Sequence, residues 1–210
     1  MEAYEFLFYV APLLILFYAG SILFIRPTKQ VFGMSLLGGL VLGIINLLVD
    51  IVAYNAHWWQ YSFRQVSLDK STHLQITLAN TVIGIMNAVH APLPLYITPI
   101  LIYGSLIFLL IWRFWAGRLR WLSWLLLIGT PLFCIARDIL DAVLHNSLQT
   151  WENVPLAIVG TIFLWLIAFY AGFTIFWRTA SKRPYTEYTA EDALPWHPAE
   201  QRPTTSHEIS

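Results

Sequence analysis

Apolar residues run through this chain in five long stretches, separated by short segments that hold most of the charged and polar side chains. Each stretch reaches the roughly 20 residues that an α-helix needs to cross the hydrocarbon core of a bilayer. The predicted spans are 4–25, 31–54, 93–115, 121–145 and 154–177. The pattern therefore predicts an all-α integral membrane protein with five transmembrane helices, whose transmembrane domain covers residues 1–183.

One further apolar segment, 73–91, is interrupted at intervals of three and four by small and polar residues. They are Thr77, Asn80, Thr81, Gly84, Asn87, Ala88 and Ala91. This spacing places them on one face of a helix, which is typical of an amphipathic helix rather than of another span. Pro92 and Pro94 end the helix because proline lacks a backbone donor. We predict that the segment is interfacial or re-entrant.

The composition agrees with a membrane location. Hydrophobic residues make up 58% of the 210 residues and charged residues 11%, which leaves too little polar surface for a water-soluble globule. The formal net charge is zero, so nucleic-acid binding has no support. The single cysteine, Cys134, lies inside the fourth span and is expected to be structural. We expect the protein in a cell membrane, such as the bacterial cytoplasmic membrane.

Basic residues collect after alternate spans, which indicates an orientation. They are Arg26, Lys29, Arg113, Arg118, Arg120, Arg178, Lys182 and Arg183. Because cytoplasmic loops are enriched in lysine and arginine, we predict an external N-terminus and a cytoplasmic C-terminus. Glu2 and Glu5 stand where a cleavable signal peptide has basic residues, so the first span is expected to be retained. The tail, 184–210, is expected to be disordered and cytoplasmic, and its Trp196 offers a docking point for a protein partner.

Four charged residues inside the predicted spans are the strongest functional signal, because charge within a membrane is costly and usually faces a protein interior or a wet cavity. They are Asp50 on the second span and Arg137, Asp138 and Asp141 on the fourth. At a rise of about 1.5 Å per residue from the inner boundary, Asp50 lies roughly 28 Å up, Arg137 roughly 24 Å and Asp141 roughly 30 Å. The four therefore occupy one layer near the outer boundary.

Aromatic and histidine side chains fall at the same level and complete the candidate ligand-binding set. They are His57, Trp58, Trp59, Tyr61, His90 and His145. Tryptophan and tyrosine are also enriched at membrane interfaces, so an aromatic belt is an alternative explanation for the group at 58–61. The layer predicts an outward-facing polar pocket roofed by the segment 57–92.

Two interpretations of the charges stay open. Arg137 can pair with Asp50 or Asp141 and so make helix insertion tolerable, as intramembrane charges commonly do. One arginine cannot neutralise three carboxylates, and this surplus favours a pocket over a plain salt bridge. Under the pocket interpretation, the candidate catalytic groups are Asp50, Asp138 and Asp141.

Motifs for other chemistries are missing. The histidines and aspartates lack the H-x-x-x-H or H-E-x-x-H spacing that places two metal ligands on one helical turn, so we expect no metal. A phosphate-binding glycine loop and a G-x-S-x-G nucleophile motif are also absent from the sequence, and we expect no cofactor. Gly39 with Gly43 and Ala168 with Gly172 are small-residue pairs that predict close helix packing within the chain, with a dimer interface as the alternative.

A distributed set of residues carries a resemblance over about half of the chain. The set is Asp50, Trp58-Trp59-x-Tyr61, Pro94-Leu95-Tyr96, Tyr103-Gly104, Trp112-Arg113 and Arg137-Asp138. It resembles a group of multi-pass bacterial membrane proteins without an established activity. It is also similar to membrane carotenoid enzymes of the lycopene cyclase kind, which place an aspartate ahead of a Trp-x-Tyr or Trp-x-Phe segment and a proline-rich helix start. The acidic pair that those enzymes carry after the proline is replaced here by Leu95-Tyr96-Ile97-Thr98-Pro99. The resemblance implies a pocket for an isoprenoid or another lipid.

The sequence thus predicts a membrane protein that binds a lipid or isoprenoid-like molecule in an outer-side polar pocket. One alternative is a structural or accessory subunit of a membrane complex, in which the charges only lock the second and fourth spans together. Another is an enzyme that modifies a lipid or carotenoid by acid catalysis, in which a protonated Asp50 or Asp141 acts as the general acid while Arg137 keeps the other carboxylate charged.

Overall fold

The protein is a bundle of helices with one small sheet. The computed structural model describes residues 3–61, 63, 73–116, 118–144 and 149–180. The helices are α1 (Phe6–Ile25), α2 (Lys29–Asn55), α3 (His73–Val89), α4 (Leu93–Phe114), α5 (Arg120–Val143) and α6 (Val154–Thr179). The strands are β1 (Trp59–Tyr61) and β2 (Gln149–Trp151). Helices α1 and α4 contain π-helical stretches, Phe6–Val10 in α1 and Thr98–Leu106 in α4.

Four of these helices, α1, α2, α4 and α6, are long and apolar enough to cross a membrane. The predicted spans at these four places are confirmed as helices, with ends that differ by one or two residues. The fifth predicted span is the 24-residue helix α5, which carries Arg137, Asp138 and Asp141 and is not among these four. The chain is therefore a mostly helical membrane protein.

The prediction of an all-α chain was incomplete. Strands β1 and β2 pair antiparallel, with Trp59 opposite Trp151, Gln60 opposite Thr150 and Tyr61 opposite Gln149. The connection after α2 and the one before α6 meet at the same end of the bundle. Their backbone groups are outside the helices and need partners, and pairing with each other satisfies them. Such short strands carry too little periodicity to be seen in the sequence.

Helix ends follow local chemistry. The side chain of Thr28 accepts a hydrogen bond from the backbone N–H of Val31 at the start of α2. Asn153 does the same for Leu156 at the start of α6. Arg26 adopts a left-handed conformation at the end of α1, with φ of 49°. These caps satisfy backbone groups that a helix leaves unbonded at its ends.

Helix α2 packs closely against α4 and α6 through glycines. A Cβ atom on Gly38 would lie 2.8 Å from the carbonyl oxygen of Gly172, and one on Gly104 would lie 2.5 Å from the Cα atom of Gly39. Phe108 is fully buried beside these contacts and packs against Phe169 and Phe176. The predicted packing within the chain is thus confirmed for Gly39 and Gly172, since each lies against another helix of the same chain.

The two ends of the bundle differ in chemistry. At one end the Trp115 ring lies 5.5 Å from that of Trp124 and 4.6 Å from that of Trp177. These contacts bring together the end of α4, the start of α5 and the end of α6. We call this the basic end, because the described arginines and lysine at 26, 29, 113, 118, 120 and 178 belong to it. The opposite end carries the sheet and is called the cavity end.

Helix α3 lies at the cavity end. Its residues Ala79, Ile83 and Met86 are buried, and the last two pack with Phe63. Five residues of its predicted polar face are exposed, namely Thr77, Thr81, Gly84, Asn87 and Ala88. The predicted helix is therefore confirmed over His73–Val89. Residue 145 and the predicted tail, 184–210, lie outside the described residues.

Candidate functional site

A cavity of about 400 Å³ opens among the helices at the cavity end. Small-molecule sites in proteins typically enclose roughly 300–1,000 Å³, so this volume is in their range. The residues that line it come from five helices and from both strands. They are Phe6, Asn46, Asp50, Trp59, Tyr61, Pro92, Leu95, Tyr96, Thr98, Pro99, Arg137, Asp138, Asp141, Gln149, Thr161, Leu164 and Trp165. All four charged residues predicted to share one layer are among them.

Asp50 is 4% exposed and is held by three donors. The indole Nε1 of Trp59 donates to its Oδ1 at 3.0 Å, and the hydroxyl of Tyr61 donates to the same oxygen at 3.1 Å. The hydroxyl of Tyr96 donates to Oδ2. A buried carboxylate is costly unless it is hydrogen-bonded or paired, and here hydrogen bonds alone compensate it. Asp50 is therefore an acceptor in every contact that it makes within the described part of the chain.

The strand β1 delivers two of these donors. Trp59 and Tyr61 are two residues apart, so both side chains point to the same face of the strand. Burial, together with the nearby carboxylate of Asp50, raises the pKa of Tyr61 well above its ordinary value. Tyr61 thus stays protonated and remains a donor. The pairing of β1 with β2 fixes this strand over the end of α2, because the register places Tyr61 opposite Gln149 on the cavity wall.

Arg137 and Asp138 form an ion pair on the opposite wall. The guanidinium Nε of Arg137 donates to Oδ1 of Asp138 at 2.8 Å, and its Nη1 donates to the hydroxyl of Tyr103 at 3.0 Å. The guanidinium carbon lies 5.3 Å from the ring centre of Tyr103 and 5.6 Å from that of Trp165. Trp165 Nε1 donates to Oδ2 of Asp138 at 2.6 Å. The side chains of Arg137 and Asp138 are 41% and 24% exposed.

The expected partners of Arg137 were wrong. Its carboxylate partner is Asp138, its neighbour on α5, rather than Asp50 or Asp141. The reason is local: Asp50 is already bonded by three donors, and the guanidinium is drawn between the rings of Tyr103 and Trp165, beside Asp138. The charges therefore do not lock α2 to α5. They lie on separate walls of one cavity.

Three polar side chains on the wall have oxygen atoms without a hydrogen-bond partner among the described residues. The amide nitrogen of Asn46 donates to the carbonyl of Leu42 at 2.9 Å, but its carbonyl oxygen accepts nothing from the described residues. The hydroxyl of Thr161 and the exposed carboxylate of Asp141 likewise make no hydrogen bond within the described ranges. Asn46 is 5% and Thr161 3% exposed. These unused atoms belong to residues that line the cavity and are available to a ligand or to water.

The remaining predicted site residues lie elsewhere. The side chain of His57 is exposed and its Nδ1 is 3.2 Å from a carboxylate oxygen of Glu152. Trp58 packs over Gly160, whose added Cβ atom would be 3.0 Å from the indole ring. His90 stacks on Tyr54 with ring centres 3.9 Å apart. None of these three side chains lines the cavity. His145 lies outside the described residues.

Several cavity residues escaped the sequence-based prediction, although the signal was present. Asn46 precedes Asp50 by four positions, and Thr161 precedes Trp165 by four, so each pair shares one helical face. Polar residues at such positions in an apolar span are functional candidates in the same way as charged ones. Among the described residues no group of three or more histidine, cysteine, aspartate or glutamate side chains could hold a metal ion.

Comparisons with protein-family models, with curated proteins and with solved structures find no match to this chain. The class of protein therefore rests on its own fold and site. The chain is a mostly helical membrane protein with a polar cavity at one end of its bundle.

Proposed function

We propose that this protein binds a lipid, isoprenoid or other amphipathic molecule in the cavity at the outer end of its bundle. The observation that carries the proposal is that Asn46 and Thr161, which are 5% and 3% exposed, each line a cavity of about 400 Å³ with a polar atom that has no partner among the described residues. A polar ligand headgroup would give these atoms hydrogen-bond partners in place of water. The apolar lining by Phe6, Leu95 and Leu164 suits a hydrocarbon portion.

The proposed topology has five crossings, with α5 as the fifth and α3 at the interface or re-entrant. Two features support it. The charged residues of α5 lie near its end on the cavity wall, where the membrane need not contact them. The basic residues belong to the opposite end of the bundle, which the charge bias of membrane proteins assigns to the cytoplasm. The cavity end, and with it the N-terminus, is then outside.

Cysteine labelling tests this topology. Arg118→Cys at the basic end should resist a membrane-impermeant maleimide in intact cells, and His57→Cys at the cavity end should react. The native Cys134 is buried and should give little background. Reaction of Arg118→Cys in intact cells would reverse the orientation.

The alternatives from the sequence receive less support. An accessory subunit whose charges lock two helices together needs an ion pair between α2 and α5, whereas Arg137 pairs within α5. General acid catalysis by Asp50 needs a proton directed at the substrate, whereas both oxygens of Asp50 already accept hydrogen bonds from the protein. Asp138 accepts bonds from Arg137 and Trp165. Of the three candidate catalytic aspartates, Asp141 is the one whose carboxylate has no hydrogen-bond partner among the described residues.

The test is mass spectrometry of small molecules that co-purify with the protein in polymer-bounded native membrane discs. Wild type is compared with Thr161→Leu, which adds bulk to the cavity, and with Gly33→Leu, which adds bulk where nothing lies within 4 Å. We expect an enriched molecule in wild type and Gly33→Leu that is lost from Thr161→Leu. Identical profiles in all three proteins would refute the proposal.

A further inference from the structure

We propose that the headgroup held in this cavity is a protonated primary amine; the inference rests on the function proposed above and specifies its ligand. The cavity carries three carboxyl groups and one guanidinium, on Asp50, Asp138, Asp141 and Arg137. Because a desolvated cavity strengthens electrostatic interactions, the sign of the charge that remains after internal pairing decides which ligands enter.

The one positively charged side chain that lines the cavity is paired with a carboxylate. Arg137 donates two hydrogen bonds to Asp138 and one to Tyr103. It also lies over the rings of Tyr103 and Trp165. A phosphate, sulfate or carboxylate headgroup would have to compete with Asp138 for this guanidinium while facing Asp50 and Asp141. Anionic ligands are therefore disfavoured.

The groups that remain without a partner mostly accept. They are the carbonyl oxygen of Asn46, the hydroxyl of Thr161 and the carboxylate of Asp141, none of which has a partner in the described part of the chain. A carboxylate or amide oxygen accepts hydrogen bonds, and a hydroxyl oxygen can also act as an acceptor. A primary ammonium carries three donors and one positive charge. It supplies donors to these acceptors and offsets the surplus carboxylate.

The aromatic lining supports a cation in the same place. Trp59, Tyr61, Tyr96 and Trp165 all border the cavity. Aromatic faces attract ammonium groups, and more strongly where water is excluded. The hydroxyls and indole N–H groups of three of these rings donate to Asp50. Those donors are occupied and do not compete with the ammonium for acceptors.

The experiment uses three amphiphiles of equal chain length, decylamine, decanol and decanoate, added to the full chain in phosphatidylcholine nanodiscs near neutral pH. Binding is counted as adducts by native mass spectrometry. We expect decylamine to bind about tenfold more tightly than decanol, because a hydrogen bond to a charged group is stronger than a neutral one, and decanoate to bind most weakly. Asp141→Asn should reduce the preference for the amine severalfold, whereas Glu152→Gln, a matched loss of a carboxylate outside the cavity, should keep it.

The outcomes separate the two proposals. Equal or tighter binding of decanol or decanoate, or an unchanged preference in Asp141→Asn, would overturn the amine and leave the cavity as a ligand site. Absence of binding by all three compounds would overturn both. A second arm adds phosphatidylethanolamine to the disc. Displacement of decylamine by this lipid would identify a membrane lipid as the source of the amine, and retention of decylamine would identify a free amine.

Discussion

The two halves of the helix bundle use the same helices in opposite ways. Toward the basic end, glycines at 38, 39, 104 and 172 let α2, α4 and α6 approach until their backbones touch, and Phe108 fills the remaining space. Toward the cavity end, the same helices present Asn46, Asp50 and Thr161 to the cavity. In water such a polar gap would fill with solvent at little cost. Within a membrane the polar cavity needs a physical reason, because polar groups there cost free energy and van der Waals contact drives helices to pack closely.

The largest expected effect comes from breaking the Asp50 cluster at the cavity end. Asp50→Asn keeps the size of the side chain but turns one acceptor oxygen into a donor that faces the donors Trp59, Tyr61 and Tyr96. The substitution leaves the donor at one oxygen without an acceptor and makes the remaining bonds neutral. Because a hydrogen bond to a charged group contributes about 1.5–3 kcal/mol, the combined loss should lower the free energy of unfolding by about 3–5 kcal/mol. Unfolding by dodecyl sulfate titration, monitored by circular dichroism, measures it.

Asp141→Asn is the matched control for Asp50→Asn. It makes the same chemical change on the opposite wall of the cavity, at an exposed carboxylate without a described partner. We expect a change below about 0.5 kcal/mol, as for most exposed positions. Equal losses of stability in both variants would show that Asp50 does not stabilise the cavity end more than Asp141 does.

The next effect should come from the closely packed half. A Cβ atom on Gly39 would meet the carbonyl oxygen of Ile100 and lie 2.9 Å from the backbone nitrogen of Ser105. Since backbone atoms cannot give way cheaply, Gly39→Ala should cost about 1–3 kcal/mol, as overpacking typically does. The same titration measures it. Gly33→Ala, where nothing lies within 4 Å, should be neutral or slightly stabilising, and a similar loss there would mean that the glycine contacts are not responsible.

A smaller effect is expected for the half-exposed ion pair. Arg137→Gln removes the guanidinium, but Asp138 keeps its hydrogen bond from Trp165 at 2.6 Å. We expect a loss of about 1 kcal/mol, because a partly exposed pair contributes little. Arg137→Lys retains the charge without the planar fork and should recover only part of it. A loss for Arg137→Gln as large as that for Asp50→Asn would indicate that the pair, and not the Asp50 cluster, holds the cavity end together.

The smallest change in stability should accompany a clear change in binding. Thr161→Val has nearly the same shape and removes a hydroxyl that has no described partner, so stability should stay the same or rise by about 0.5 kcal/mol. The amount of ligand that co-purifies with the protein, measured by mass spectrometry, should decrease. Unfolding of the variant together with an unchanged ligand would contradict the role given to this hydroxyl.

The sequence allowed most of the helices to be predicted, because long apolar runs and the polar stripe of 73–91 reflect periodicities that local geometry imposes. It also allowed Asp50, Arg137, Asp138 and Asp141 to be assigned to one layer, because rise per residue converts position into depth. The pairing of Arg137 could not be obtained in this way. It depends on which of three carboxylates is already satisfied, and therefore on Tyr96 and Trp165 from other helices.

The direction in which the chain leaves a helix explains two of the other misses, His57 and His90. His57 and His90 have the expected depth but point away from the cavity, and both adopt positive φ values of 55° and 56°. A change of direction at a helix end sends each side chain outward, to Glu152 and to Tyr54. The depth of a residue along the bundle can be calculated from its position in the sequence. The direction of its side chain depends on how the chain leaves each helix.

The proposed function requires a ligand that completes the polar wall of the cavity, and the native mass of the intact protein tests this directly. Wild type and Glu152→Gln, released from native membrane discs in the mass spectrometer, should each carry one discrete adduct per chain, and Thr161→Leu should have the mass of the bare chain. Bare-chain masses for all three proteins, or the same adduct on all three, would contradict it.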